Sequence, residues 1–395
     1  MRNRISRIFL VVCQIPLRAE GGADRPVKKI DKIGRKDARG WLRCALPVTT
    51  FAAAVLFIWS CGFFQNGGKP VIKTYDGQWQ SIRVNNAIVQ FIIEQGYGYT
   101  VEAVEMTSHE MQEAMETGEI NLNMEMWQQG RMDWYSEQIE KGNIVNLGMS
   151  YEAGPQFFSI PKWVAEQHHI ETIFDMEQHW RLFKDPQDTS KGIFYNCIIG
   201  WRCDEINQVK LEAYGLTRYY NIFSPGSSAA MEAAFEGAWM NHQPVFGYFW
   251  APTALMGKYD WHILKEPPYT DQCWRKISAA IKDRNRRPID QACAYENLPV
   301  EKVVHKSLLK NAQDVVEMLK KMVVGLEPLN QTLAWAKEND RDLEEVAVYY
   351  MKNYEDRWRS WVTPNAYKRI AKALRQHLNS SVSDVGNLDH SLALR

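Results

Sequence analysis

Two cysteines with five residues between them enclose a single tryptophan, in Tyr195-Asn196-Cys197-Ile198-Ile199-Gly200-Trp201-Arg202-Cys203-Asp204. A helix-like run from Glu205 to Tyr214 follows at once. A bond between Cys197 and Cys203 would close a small ring and fix Trp201 at a helix N-terminus. The face of an indole attracts a cation. The unpaired amides of a helix N-terminus attract an anion. A quaternary-ammonium carboxylate, such as a betaine, carries both charges within a few atoms.

Two more tryptophans stand in comparable places. Trp127 follows one strand-like run and Trp250 ends another, Pro244-Val245-Phe246-Gly247-Tyr248-Phe249. If one lobe supplies Trp127 and a second supplies Trp201 and Trp250, closing the lobes puts three indoles around one ligand. Each contributes roughly 0.5–2 kcal/mol over a desolvated trimethylammonium. Micromolar binding requires about 8 kcal/mol, so desolvation and carboxylate contacts must supply the remainder. The backbone amides of Arg202 and Cys203 suit the carboxylate. Arg131, four residues beyond Trp127, is the best side-chain cation, because its fork matches a carboxylate. Each feature also has a plainer reading. A tryptophan ending a buried strand is commonly a core anchor, a lone arginine is commonly a solvated surface charge, and the cystine alone is about an even choice between structural and functional.

The elements that must position these residues read as α/β. Val71 to Tyr75 is a strand, Asp76-Gly77 its turn, and Trp79 lies in the following loop. An apolar-periodic helix, Val84 to Gln95, stops at Gly96. Thr100 to Val104 is a second strand, and Ser108 caps a helix from His109 to Glu116. Glu119 to Met126 alternates as a third strand. Strands alternating with helices give a parallel sheet. Ligands bind beyond the carboxyl ends of such strands, which puts both Trp79 and Trp127 on the ligand edge. The aromatic stretch 154–163 is a candidate hinge with a crossing strand, and a second α/β unit runs from about 165 to 295. Tyr295 to His305 returns, and helices at 311–323, 328–338, 343–352 and 364–377 finish the chain. The expected division is lobe 1 over 70–162 and 298–378, lobe 2 over 163–297, and a flexible tail at 379–395.

Composition narrows the class. The 395 residues are 45% hydrophobic and 24% charged, with 15 Trp and 17 Tyr. Residues 1–43 carry twelve Lys/Arg against four Asp/Glu, a net +8, so the remainder is −8. A mildly acidic body argues against nucleic acid as a partner. Cys44 to Phe64 is an uncharged run of 21 residues behind that basic stretch. It reads as a signal sequence or a single anchor that sends the body outward. Ile58-Trp59-Ser60-Cys61-Gly62 is a weak lipoprotein-type processing site. Residues 1–69 therefore read as a leader. The body holds four cysteines, and three pairings are possible. Pairing between sequence neighbours, Cys197 with Cys203 and Cys273 with Cys293, is favoured in an extracytoplasmic chain.

Catalytic and cofactor signals are weak. His168-His169 is an isolated pair. No H-E-x-x-H, Gly-x-Ser-x-Gly or phosphate-binding loop occurs. A metal site needs C-x-x-C spacing or histidine partners, and the cysteines have neither. No cofactor is expected.

Residues from about 70 to 376 resemble the substrate-binding proteins of glycine-betaine/proline-betaine ABC transporters. The resemblance is carried by Glu125-Met126-Trp127, by Cys197-x5-Cys203 with Gly200-Trp201 inside, by Gly226-x-x-Ala229-Ala230-Met231, and by Pro244 to Pro252. It implies a two-lobed, periplasmic-binding-protein-like (type II) α/β fold. Each lobe is a sheet flanked by helices, with the ligand in the cleft between them. It also implies a non-enzymatic protein outside the cytoplasm that hands a betaine or related quaternary amine to a membrane permease. The Trp box would fall on Trp127, Trp201 and Trp250, and the carboxylate on the amides of Arg202 and Cys203. Relatives can carry a histidine where Arg131 stands and a small residue where Arg202 stands. An extra cation suits a longer or more acidic zwitterion. The competing expectations are a Trp-rich carbohydrate-active enzyme or carbohydrate binder, and a ligand-sensing ectodomain of the same fold.

Overall fold

The structure is a computed structural model, and it describes residues 68–377. Residues 1–67 of the leader, with the uncharged run 44–64 and Cys61, and the tail 379–395 lie outside the described residues. Among the described residues, ten strands form two five-stranded sheets. The first contains β1 (Ile72–Asp76), β2 (Val101–Glu105), β3 (Leu122–Met126), β4 (Ile144–Tyr151) and β10 (Val300–His305). The second contains β5 (Gln156–Pro161), β6 (Gly192–Tyr195), β7 (Tyr220–Phe223), β8 (Gly247–Trp250) and β9 (Trp261–Ile263). Their orders, β2-β1-β3-β10-β4 and β7-β6-β8-β5-β9, are the same arrangement used twice. In each, three strands run parallel and the returning strand pairs antiparallel on both sides.

Parallel pairing brings the carboxyl ends of β1 and β3 to one edge of the first sheet, and those of β6 and β8 to one edge of the second. All five residues of β3 are buried, as are all four of β8. Central strands covered on both faces carry such sequences, so the residues that follow them emerge at the sheet edge in fixed positions.

The chain passes between lobes earlier than the sequence suggests. The expected boundary at 162/163 places Phe157 to Pro161 in lobe 1. Instead β5 pairs with β8 and β9 of the second sheet, so the first passage is at 152–155. The two passages lie side by side, with the amide of Gly154 donating to the carbonyl of Leu298 at 2.9 Å. An apolar strand carries no local mark of which sheet it joins, and only the long-range partners decide.

Other boundaries also shift. The first helix is Gln80–Phe91 and continues through a widened turn, Ile92–Tyr97, so the stop is Gly98 at φ +71° and not Gly96. Thr107, not Ser108, caps the helix Ser108–Thr117. Its hydroxyl accepts from the Glu110 amide while the Glu110 carboxylate accepts from the Thr107 amide, a reciprocal capping box. Where one helix was expected over 311–323, two short ones occur, Leu308–Asn311 and Gln313–Lys321. The helix Met132–Glu140 and strand β4 were not singled out by sequence. The disulfides join Cys197 to Cys203 and Cys273 to Cys293.

Candidate functional site: an aromatic cleft between the sheets

The turn after β1 builds the first wall. Gln78 adopts φ +69°, and Trp79 then enters the helix Gln80–Phe91 at its N-cap with extended backbone. Gly77 is required there, since a Cβ on it would stand 1.9 Å from the Trp79 ring. From the second lobe, Trp201 occupies the N-cap of the helix Arg202–Ala213, held by the Cys197–Cys203 bridge. Trp250 is the last residue of β8. The three rings form an edge-to-face series. Trp79 and Trp201 centroids are 5.5 Å apart at 86°, and Trp201 and Trp250 are 5.3 Å apart at 81°. Edge-to-face packing turns the positive edge of one ring to the negative face of the next, which rigidifies the wall. Trp127 follows β3 and packs near the interlobe passage, against Tyr151 at 6.4 Å.

All seven residues singled out by sequence line one cleft: Trp79, Trp127, Arg131, Trp201, Arg202, Cys203 and Trp250. The free space within the cleft, comparable to a cavity volume, is about 60 Å³. The first two amides of the helix, those of Arg202 and Cys203, precede any helical acceptor. They supply donors beside the indole of Trp201.

The two arginines differ. The Arg202 guanidinium is occupied in bridging the lobes. Its Nε donates to the carbonyl of Gly130 at 2.9 Å, and its Nη1 pairs with Glu205 at 2.5 Å. Glu205 in turn lies 3.3 Å from His109 on the first lobe. Gly130 is at φ +77°, and a Cβ there would meet Ile206 at 2.6 Å and Arg202 at 3.0 Å, so the close approach needs a glycine. Arg131 is buried, with 9% exposure. Burial lowers its pKa to about 10, and no carboxylate among the described residues pairs with it.

Sequence reasoning cited Glu125 only as part of a motif, yet it organises the first lobe's half of the cleft. It is fully buried on β3. Its Oε2 accepts from the Trp79 indole at 2.6 Å, the Trp127 indole at 3.2 Å and Ser81 at 3.0 Å, while Oε1 accepts from Asn85 at 2.6 Å. Desolvation raises its pKa, and the four donors work against that rise. One carboxylate therefore orients two cleft indoles. The signal for it was Ser81 and Asn85, two polar residues four apart on the buried face of the first helix. Tyr75, Gln129, Gln156 and Tyr248 also line the cleft and were likewise not singled out.

Several further hydrogen bonds cross the cleft. Trp201 Nε1 donates to the Gly77 carbonyl at 2.9 Å, Ser228 Oγ to the Gln78 carbonyl at 2.7 Å, and the Ser108 amide to the Gly200 carbonyl at 3.0 Å. The lobes thus stand closed against one another.

A family model described as the substrate binding domain of an ABC-type glycine betaine transport system matches residues 71–353. The trimethylamine N-oxide-binding protein of Pelagibacter ubique (strain HTCC1062) is 22% identical over 324 residues, covering 79% of this chain and 97% of the relative. The solved structure of a glycine betaine, L-proline-binding protein from Borrelia burgdorferi aligns with a TM-score of 0.60 at 16% identity, covering 76% of this chain and 100% of that one. An ABC-transporter choline binding protein in complex with choline aligns with a TM-score of 0.60 at 14% identity, covering 77% and 98%. At these identities the structural likeness is one of fold. That fold is the two-lobed, periplasmic-binding-protein-like α/β architecture expected from the sequence.

Proposed function

The chain belongs to the family of substrate-binding domains of ABC-type glycine betaine transport systems, and on that premise we propose that its cleft captures a trimethylammonium compound for delivery to a membrane permease. The observation that carries this reading is the placement of four indoles from both lobes around one cleft, with two helix-terminal amides beside the central one. Trp79, Trp127, Trp201 and Trp250 would surround the quaternary nitrogen. The amides of Arg202 and Cys203, with the Arg131 guanidinium, would hold an anionic group at the other end. The role is capture and release, with no bond made or broken.

Closure is driven by a ligand that touches both lobes at once, since only differential contact with the closed state can shift the equilibrium. The ATPase subunits of the transporter would be separate chains. The uncharged run 44–64 would serve as the export signal or as a tether that holds the body outside the cytoplasm. Among the described residues, no helix is long and apolar enough to cross a membrane.

The test is isothermal titration of the full-length chain with glycine betaine, carnitine, choline, trimethylamine N-oxide and a panel of neutral sugars. Micromolar binding of a trimethylammonium compound is expected, lost at least tenfold on Trp127→Ala or Trp250→Ala. Heat from a sugar alone would replace this reading with the carbohydrate one.

A further inference from the structure

We propose that the helix Ser228–Met240 is a proton-linked latch between the lobes: closing around a ligand loads a proton onto Glu232, so capture tightens as the surroundings turn acidic. This rests on the reading of the cleft as a trimethylammonium site, and it concerns how that site is regulated.

The latch is one stripe of the helix. Ser228, Glu232 and Glu236 stand four residues apart and therefore share a face. Each meets a group of the first lobe. Ser228 Oγ donates to the Gln78 carbonyl at 2.7 Å, Glu232 Oε2 accepts from Gln80 Nε2 at 2.9 Å, and Glu236 lies 2.9 Å from Lys337. Lys337 belongs to the helix Leu326–Asn339, whose Leu329 and Leu333 are buried in the first lobe's core. Gln78 and Gln80 flank Trp79, so the latch grips the turn that carries one wall of the cleft.

The charges along the stripe are unevenly shared. Glu236 holds Lys337, Lys258 at 3.5 Å and the Tyr259 hydroxyl at 2.7 Å. The Tyr259 hydroxyl and Lys337 lower its pKa and keep it ionised. Glu232 is left with Lys337 at 4.0 Å and the neutral amide of Gln80. It is buried, and its Oε1 has no hydrogen-bond partner. A carboxylate there loses hydration without gaining a full counter-charge, and an uncompensated buried charge is strongly unfavourable. Burial accordingly raises the Glu232 pKa to about 7, with Lys337 opposing the rise.

Opening the lobes withdraws Gln80 and Lys337 and returns Glu232 to water, where a glutamate is ionised at neutral pH. The closed form then holds a proton that the open form does not. By linkage, acid favours the closed form, and so does the ligand, and each strengthens the other. A second pair crosses the lobes, His109 and Glu205 at 3.3 Å, which is an ion pair only when the histidine is protonated. It acts in the same direction, so the test must separate the two.

The experiment is calorimetric titration of the full-length chain from about pH 6 to pH 9, in paired buffers of different ionisation enthalpy so that protons taken up are counted. The probe is whichever of glycine betaine, carnitine, choline and trimethylamine N-oxide wild type binds most tightly at neutral pH. Wild-type affinity should be about tenfold higher at about pH 6 than at about pH 8, with roughly half to one proton taken up per ligand between them. Glu232→Gln should bring that ratio below about threefold and remove most of the proton uptake. It should also bind more tightly than wild type in the alkaline range, the reverse of losing a structural hydrogen bond. Lys337→Met removes the cation that opposes the proton, so its affinity should begin to rise at a higher pH than in wild type. A rise that begins at the wild-type pH would overturn the inference, and this variant decides alone should Glu232→Gln fail to fold. Wild-type affinity that does not vary with pH would also overturn it and leave the trimethylammonium reading standing. Full pH dependence in Glu232→Gln would overturn it and assign the coupling to His109. Binding of none of the four compounds by wild type would remove the underlying reading, and the inference with it.

Discussion

The indole N–H of Trp201 donates to the backbone carbonyl of Gly77 at 2.9 Å, so a wall of the aromatic cleft is also a hydrogen bond between the lobes. Gly77 lies in the turn that brings Trp79 to its place, and the Trp79 and Trp201 rings meet 5.5 Å apart. Ring packing and lobe closure therefore share one side chain.

Trp201→Phe separates the two contributions. Phenylalanine keeps an aromatic face but loses the N–H, leaving the Gly77 carbonyl without its partner when the lobes close. Such a loss costs about 1–2 kcal/mol. Ligand affinity should fall about 5- to 30-fold by titration, and Trp201→Ala should fall further because the ring is also gone. Affinity unchanged in Trp201→Phe would show that the hydrogen bond does not contribute to the closed state.

Glu125→Gln tests whether one carboxylate holds two indoles in place. The carboxylate accepts four hydrogen bonds and donates none. An amide removes one acceptor oxygen and points two N–H groups at existing donors. Breaking a buried, fully satisfied charged group costs about 3 kcal/mol. The expected outcome is a chain less stable by that order in urea unfolding, with weaker ligand binding as Trp79 and Trp127 lose their fixed orientation. Full affinity in a destabilised variant would show that the indoles are held by packing alone.

What the sequence made legible follows from how local each signal is. Trp201 could be placed because its cystine loop and helix are contiguous, within Cys197 to Ala213. Trp127 and Trp250 could be placed because each stands at the end of a buried strand, where the edge of a parallel sheet lies. The pairing of Phe157 to Pro161 with the second sheet could not be read, because its partners lie about 90 to 100 residues away. Thr107 took the cap from Ser108 because the glutamate three residues on, Glu110, completes a box with Thr107 only. The side chain of Arg202 looked like a free cation. Its acceptor, the carbonyl of Gly130, comes from the other lobe and carries no sequence mark. The reverse holds for Arg131, whose lack of a partner is visible only when the neighbouring carboxylates are seen to be engaged.

The last prediction concerns Glu232, which sits between the lobes on the helix Ser228–Met240. Its Oε2 accepts from Gln80 of the first lobe at 2.9 Å, and its Oε1 is buried without a partner. The charged groups facing it are Lys337, 4.0 Å away and itself 2.9 Å from Glu236, and Glu236 on the same helix. Burial raises the Glu232 pKa from 4.5 to about 7. A folded-state pKa above the unfolded one means that the folded chain takes up a proton between those two values. The associated stability is complete below pH 4.5 and is lost as pH rises through 7. A rise of this size corresponds to about 3 kcal/mol. Glu232→Gln carries no such proton. Its stability relative to wild type should therefore be near zero at pH 4.5, grow through the window, and level at about 3 kcal/mol above pH 7. Urea unfolding of both proteins from pH 4.5 to 8 measures this directly. A stability difference that does not vary with pH would show that Glu232 stays charged in the fold, with Lys337 offsetting its burial.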